Sequence, residues 1–392
     1  MIDFDALGAE LEVSWALADR DEERFADIAA DALDGLAAQF DLEAFLDTML
    51  ERRSGGRQQL AGLGAFGQPG FTTFHGEGFV VEVYVWTDSL SAIHNHPFCG
   101  AFTVLHGHSV HAVYQTSRPS RAGARGQLLD VRLKSLDRVL AGEVHKFSLR
   151  RYPLVHALIH VPTPSVSMVV RTVRTEGYYR YLPPSVALPM QAMPEPGSRR
   201  LALLETLVRI EHPSALQRVC AALRTADFET AVHLLSLTWP GADAQARAAL
   251  WEANAVLHGD RRDAIEGALR RAQRIEEASA IRHGLRDPDH RLCATVLAYA
   301  ESRSQVRRAL GDDAGALLHA FIDEAGLFSP DEAASATIAH ALVEGRNDDT
   351  ILETLGAEYG HDAILPQRDA VRTYAAESIF SVLRDREQSL IP

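Results

Sequence analysis

The sequence predicts an α+β protein: an antiparallel β-barrel or sandwich in the middle, a helical segment before it and a large all-helical region after it. Three observations lead there. Between Phe71 and Ser185 the chain is a series of short runs rich in β-branched and aromatic residues, the composition of strands. On either side, apolar residues recur at spacings of three and four, the period of an amphipathic helix. Stretches rich in Gly or Pro divide the three zones, as linkers do.

Residues 1–70 form the first zone. Leu33, Leu36 and Phe40 share one spacing, as do Leu42, Phe45 and Met49. Asp41 stands where an N-cap for the helix LEAFLDTML belongs. The Gly-rich run ERRSGGRQQLAGLGAFGQPG then reads as a linker or ordered loop. Residues 71–185 are the β zone. FVVEVYVW, AFTVLHG, SVHAVY, LLDVRL, LVHALIHV and SVSMVVRTV read as strands, and SRPSRAGARG and VPTPS as turns. Many short strands at this spacing argue for a barrel or sandwich. LPPSVALPMQAMPEPGS reads as the second linker. Residues 198–392 carry only helical patterns, broken by HGD, GDDAG and GRNDD, with no fixed repeat.

At 392 residues and 46% hydrophobic content the chain can bury more than one core. Its net charge of -14 argues against nucleic acid as a partner. The β zone runs the other way: 12 Lys and Arg against 7 Asp and Glu, a net of +5. Such a segment attracts an anionic small molecule, or else reflects drift between a β zone and acidic helices. Cys99, Cys220 and Cys293 are too few and too odd in number for a disulfide framework. The start MIDFDALGAELEVSW has no basic leader, and no apolar run approaches membrane-spanning length. A cytoplasmic protein with no membrane partner is expected.

Chemistry concentrates in the β zone, where nine of the 17 histidines fall between His75 and His160. His94 and His96 are two apart at the end of a predicted strand, so both face one side. Two imidazoles so placed can converge on one ion. The run YPLVHALIHVPTPSVSMVVRT offers His156 and His160 for a third ligand. Four residues apart, these share a face but stand about 13 Å from each other, too far to serve one ion together. His145 is a further substitute. His75, His106, His108 and His111 are either outer donors around the site or merely exposed or hydrogen-bonded. Tyr178, Tyr179 and Tyr181 either line the mouth or pack.

HNH followed by TVLHG resembles the first motif of the cupin family, in which HxH is followed by Glu and then Gly. PLVHALIH resembles the second, a Pro followed by His and, four residues later, Asn. His156 falls on the motif His and His160 on the Asn. The resemblance covers residues 71–185 and implies a cupin-type jelly-roll barrel with His94, His96 and His156 on one metal. The family's Glu would fall at Gly100 or Ala101, neither of which can ligate. That leaves three histidines, the arrangement of the cysteine dioxygenase branch, to which YVWTDSLSAIHNHPFCGAFTVLHG and PSVSMVV are similar.

The branch implies Fe(II), dioxygen and a small amino-acid-like or thiol-bearing substrate. Zn, Mn and Ni are the alternative metals. The branch places Ser, His and Tyr at alternate positions where this chain has Ser167, Val169 and Arg171. Cys99 lies three residues after His96 rather than five, and no Tyr stands at the matching position, so the branch's cysteine–tyrosine cross-link has neither partner in place and cysteine itself is not the expected substrate. Ser167, Arg171 and His160 are the expected reacting-end residues. Arg171 either points inward to a substrate carboxylate or faces solvent. Two other functions use the same barrel: a redox-neutral metal enzyme such as an isomerase or lyase, and a non-catalytic ligand sensor. The helical region shows no catalytic motif; closing the barrel mouth or docking a partner protein are its expected roles.

Overall fold

The computed structural model describes residues 2–51, 67–87, 92–173, 177–190, 197–328, 332–359 and 378–384. Most of the first linker, 52–66, lies outside the described residues. Helices α1 (Phe4–Leu17), α2 (Glu22–Leu33) and α3 (Leu42–Glu51) open the chain. Each begins at an aspartate whose side chain accepts from backbone N–H groups the helix leaves open. Asp3 serves Asp5 and Ala6, Asp21 serves Glu23, and Asp41 serves Ala44 at 3.1 Å. Leu11, Phe25 and Leu33 of α1 and α2 are fully buried, and Phe45 anchors α3, whose Leu42, Leu46 and Met49 are partly buried.

The strands are β1 (Gly70–His75), β2 (Phe79–Trp86), β3 (His94–Asn95), β4 (Gly100–His106), β5 (His108–Thr116), β6 (Ser120–Ala122), β7 (Gly126–Leu128), β8 (Val131–Leu140), β9 (Val144–Phe147), β10 (Val155–His160), β11 (Ser165–Thr172), β12 (Tyr179–Leu182) and β13 (Val186–Pro189). They form two curled antiparallel sheets, ordered β1-β2-β11-β4-β9 and β6-β7-β13-β12-β3-β10-β5-β8. Side chains from both sheets meet between them, where Phe102, Phe147, Leu158 and Val169 share one cluster.

Period-two alternation now has two buried faces to serve. All eight positions of β11 are buried. Val166, Met168 and Val170 pack outward against the N-terminal helices, so Ser167, Val169 and Arg171 turn inward. On β10, Ala157 and Ile159 pack outward against the C-terminal helices, which turns His156, Leu158 and His160 inward.

Three segments depart from the sequence reading. SVALP, read as linker, contains β13, which pairs with β12 and β7. Its Pro189 closes the strand, where a missing N–H costs no central ladder bond. SRPSRAGARG, read as a turn, contains β6, paired with β7. β9 was not anticipated, since its VHKF has two polar residues in four.

Ten helices follow among the described residues: α4 (Gly197–Arg209), α5 (Ala215–Leu223), α6 (Phe228–Thr238), α7 (Ala244–His258), α8 (Arg262–Gly284), α9 (Pro288–Tyr299), α10 (Arg303–Leu310), α11 (Ala314–Glu324), α12 (Ala333–Val343) and α13 (Asp348–Tyr359). A 3-10 turn, Ile379–Arg384, comes last. This region is clamped onto the second sheet. Val110, Ala112, Ala157 and Ile159 share a core with Leu292, Val296 and Val306. Arg282 donates to the His160 carbonyl and Arg291 to that of Val161 at 2.7 Å. Glu229 accepts from the backbone N–H of Arg125 and Gly126. Among the described residues no helix is long and apolar enough to cross a membrane.

Candidate metal centre

His94 lies in the two-residue strand β3, held between β10 and β12. The ladder sets His94 directly opposite His156, which brings their Cβ atoms to about 5 Å. His96 follows two residues later. The three ring centroids stand 4.8 Å from one another, and one nitrogen from each lies within 4.8 Å of the other two. His96 Nε2 and His156 Nε2 are 2.8 Å apart. Two nitrogens bound at right angles to one ion at about 2.0–2.1 Å would stand about 2.9 Å apart.

The strand carrying His156 is positioned from both ends. Arg282 and Arg291 hold its far end, as above. At its near end, Glu23 of α2 accepts from Ser148 Oγ and from the backbone N–H of Arg150 and Arg151. Burial raises the Glu23 pKa, but these donors outweigh it and hold the carboxyl below its ordinary value. Asp27 adds Lys146, Arg151 and Tyr152.

Protonation suits a cation. Burial pushes His94 down to about 4 and holds His96 and His156 well below 6.5, so all three are neutral at pH 7 and keep a lone pair for a metal. His94 Nδ1 lies 2.7 Å from the Ala92 carbonyl, which can only accept. The proton is therefore on Nδ1 and the lone pair on Nε2. His156 Nδ1 lies 2.8 Å from His111 Nε2, an outer partner of the kind that orients metal-bound histidines. His96 stacks on Phe147 at 4.3 Å, and its buried Nδ1 has no hydrogen-bond partner among the described residues. The donor set fits one divalent ion.

A fourth protein ligand from the expected position is ruled out by packing. A Cβ at Gly100 would sit 2.0 Å from the Val170 carbonyl oxygen, so no carboxylate can stand there. Ala101 faces the other way, into the core under the N-terminal helices. Of the substitutes, His145 stacks on Phe102 at 5.1 Å, and His160 stacks on Trp86 at 4.5 Å. Neither joins the cluster.

The three expected reacting-end residues divide into two places. Ser167 Oγ accepts from Trp86 Nε1 at 2.7 Å, on the ring that His160 stacks against. His160 Nδ1 pairs with Ser109 Oγ at 2.9 Å, and burial pushes its pKa down to about 3. Arg171 is buried, which decides between the two orientations the sequence left open. Its guanidinium lies 4.8 Å over Phe98, itself 5.2 Å from His96. Its Nε and a terminal nitrogen both reach Glu82 at 2.9 Å, and Tyr84 donates to the same carboxylate at 2.8 Å.

No protein-family model matches the chain, and no curated protein matches it. The reading therefore stands on the residues themselves. Sequence reasoning missed Glu82, although a lone acid in FVVEVYVW facing a lone base in SVSMVVRT was a signal for a buried pair. It also left the role of His111 open. A cavity of about 280 Å³ opens on that side, lined by His111, His145, Ser135, Asp137, Glu143 and Lys146. Tyr178 stands edge-on to His94 at 5.7 Å.

Proposed function

We propose that the two sheets are a cupin-type barrel and that the protein is a mononuclear non-haem Fe(II) oxygenase of a small anionic, amino-acid-like or thiol-bearing substrate. One observation carries the reading: three neutral histidines, His94 and His156 buried and His96 partly so, from β10 and from β3 with the residue just after it, bring ring nitrogens within 4.8 Å of one another with no carboxylate in the cluster among the described residues. Iron, when bound, supplies the one-electron chemistry that lets dioxygen react with a closed-shell substrate.

The chain's own residues supply the setting. Uncharged ligands leave the ion's full charge to attract an anion. Phe98, Phe102, Phe147, Leu158 and Val169 keep the interior apolar and limit water. Arg171, behind Phe98, adds positive potential that Glu82 offsets in part. The cavity lined by His111, whose ring meets His156, is the proposed room for substrate, although none of the three cluster histidines lines it.

A second reading is a redox-neutral metal enzyme. It is favoured by one feature: Ser167 and Arg171 already have partners in Trp86 and Glu82, and Val169 and Arg171 stand where the branch has His and Tyr. Elemental analysis of protein purified without oxygen or added metal, as wild type and His94→Ala, tests both. Near-stoichiometric iron lost in the variant, with oxygen uptake on a panel of thiols and amino acids, supports the oxygenase. Zinc, manganese or nickel moves the reading to the redox-neutral enzyme. No metal in either protein leaves a ligand-sensing barrel.

A further inference from the structure

The C-terminal helices enclose a second polar cavity, remote in sequence from the histidine cluster. It measures about 240 Å³ and is lined by Arg247 of α7, by Arg270, Arg271 and Arg274 of α8, and by Trp239 and Ser381. No acidic residue lines it among the described residues. Part of this charge has a structural use. Arg271 donates to the carbonyls of Ala300 and Tyr299, and Arg274 donates to Ala300 at 2.9 Å. Both thereby cap the C-terminal end of α9, where cations are favourable. Arg270 pairs with Glu266 at 2.8 Å.

The remainder has no such account. Nε of Arg247 and of Arg274 is buried and donates no hydrogen bond among the described residues, whereas the Arg271 guanidinium also has the Tyr114 hydroxyl beside it as a side-chain partner. Buried N–H groups without acceptors are uncommon in folded proteins, and two around one cavity point to a missing acceptor. The Arg271 side chain is only 9% exposed, and its one carboxylate neighbour, Glu301, is 4.0 Å away. Arg247 lies over Trp239, its guanidinium carbon 4.8 Å from the ring centroid, a cation–π contact that restricts the side chain.

We propose that this cavity binds a phosphate group, free or carried on a small molecule. A single carboxylate is satisfied by one guanidinium fork, whereas three guanidiniums around one space call for more charge and more acceptor oxygens. The volume is below the ~300–1,000 Å³ of sites for drug-sized ligands, which suits a compact anion.

The test is calorimetric titration of the full-length protein at low ionic strength with inorganic phosphate, pyrophosphate, glycerol 3-phosphate and citrate. Expected is saturable one-site binding of at least one phosphate compound, weakened about tenfold or more in Arg247→Gln and in Arg274→Gln. Arg247→Lys, which keeps the charge but not the fork, is expected to lose part of it. Thermal unfolding of each variant, and its metal content, verify that the fold persists. Binding of inorganic phosphate alone means a closed cavity; equal binding of glycerol 3-phosphate means that the ester oxygen projects out. Both support the site. Absence of saturable binding, preference for citrate, or undiminished binding in both glutamine variants overturns it. Binding that is lost in His94→Ala also overturns it, because the anion would then sit at the histidine cluster.

Discussion

Replacing His111 by Phe tests the proposed metal site through a residue that would not touch the metal. For His156 to offer Nε2 to an ion, its proton must sit on Nδ1, 2.8 Å from His111 Nε2, which accepts it. Phe removes that acceptor from a donor that is itself shielded, since His156 is 3% exposed and does not line the neighbouring cavity. A buried donor left unpaired costs roughly 1–3 kcal/mol. The cost falls on the metal-bound state. Without metal, His156 can move its proton to Nε2 and donate to His96 Nε2, also 2.8 Å away. Metal affinity should therefore fall by roughly 10–100-fold, with a smaller effect on apo stability. His111→Gln restores an acceptor and should retain most of the affinity. Competition for Zn(II) or Co(II) against a chromophoric chelator measures all three proteins. Wild-type affinity in His111→Phe would refute the assigned tautomer. Equal losses in Phe and Gln would mean that His111 acts through packing against Phe102 and His145, 5.6 and 4.9 Å away.

Three further outcomes follow from the packing around the site. Gly100→Ala forces a methyl to within 2.0 Å of the Val170 carbonyl; it should lower stability by more than about 3 kcal/mol in urea unfolding, and a near-neutral result would remove the argument against a fourth ligand. Arg171→Met strands the buried Glu82 carboxylate and should cost about 3–5 kcal/mol, while the Arg171→Met, Glu82→Met double variant recovers most of it; additive losses would show the pair to be uncoupled. His160 has a folded pKa of about 3 against 6.5 when unfolded, so the unfolded chain binds a proton first. Its stabilising neutral form is fully effective above about pH 6.5 and its contribution declines as pH falls toward 3, by at most on the order of 5 kcal/mol. His160→Gln, which can still bond Ser109, should flatten that acid limb; identical pH profiles for the two proteins would contradict the burial of His160.

The fold was legible where one physical signal dominated. Asp41 could be read as an N-cap because the cap and its helix lie within four residues of each other. SVSMVVRT could be read as a strand from its β-branched residues, but not which side of it was the interior. Both faces are buried, one by α1 and α2 and the other by the opposite sheet, so hydrophobicity carries no alternation there. β13 was lost because its flanking prolines outweighed the three buried residues Val186, Ala187 and Leu188. The clamping of the C-terminal helices onto the second sheet rests on Arg282 and Arg291 meeting carbonyls more than a hundred residues away, a relation no local pattern encodes.

The same distinction explains the site. His94 and His96 announce themselves because their spacing alone sets them on one face. His156 needed a register, and the ladder that places it opposite His94 is two residues long. Glu82 and His111 needed more, since their partners are 89 and 45 residues distant. Yet each left a trace: an ionisable residue in the middle of an apolar strand. Burial of an unpaired charge is too costly to persist, so an acid in FVVEVYVW demands a base on a neighbouring inward position, and SVSMVVRT holds one. A histidine in SVHAVY makes the weaker demand of a hydrogen-bond partner, and the polar groups across its two ladders are Asp137, directly opposite on β8, and His156, diagonal to it on β10. Sequence reading finds the candidate ligands by spacing; the groups around them are found by asking what each buried polar residue must meet.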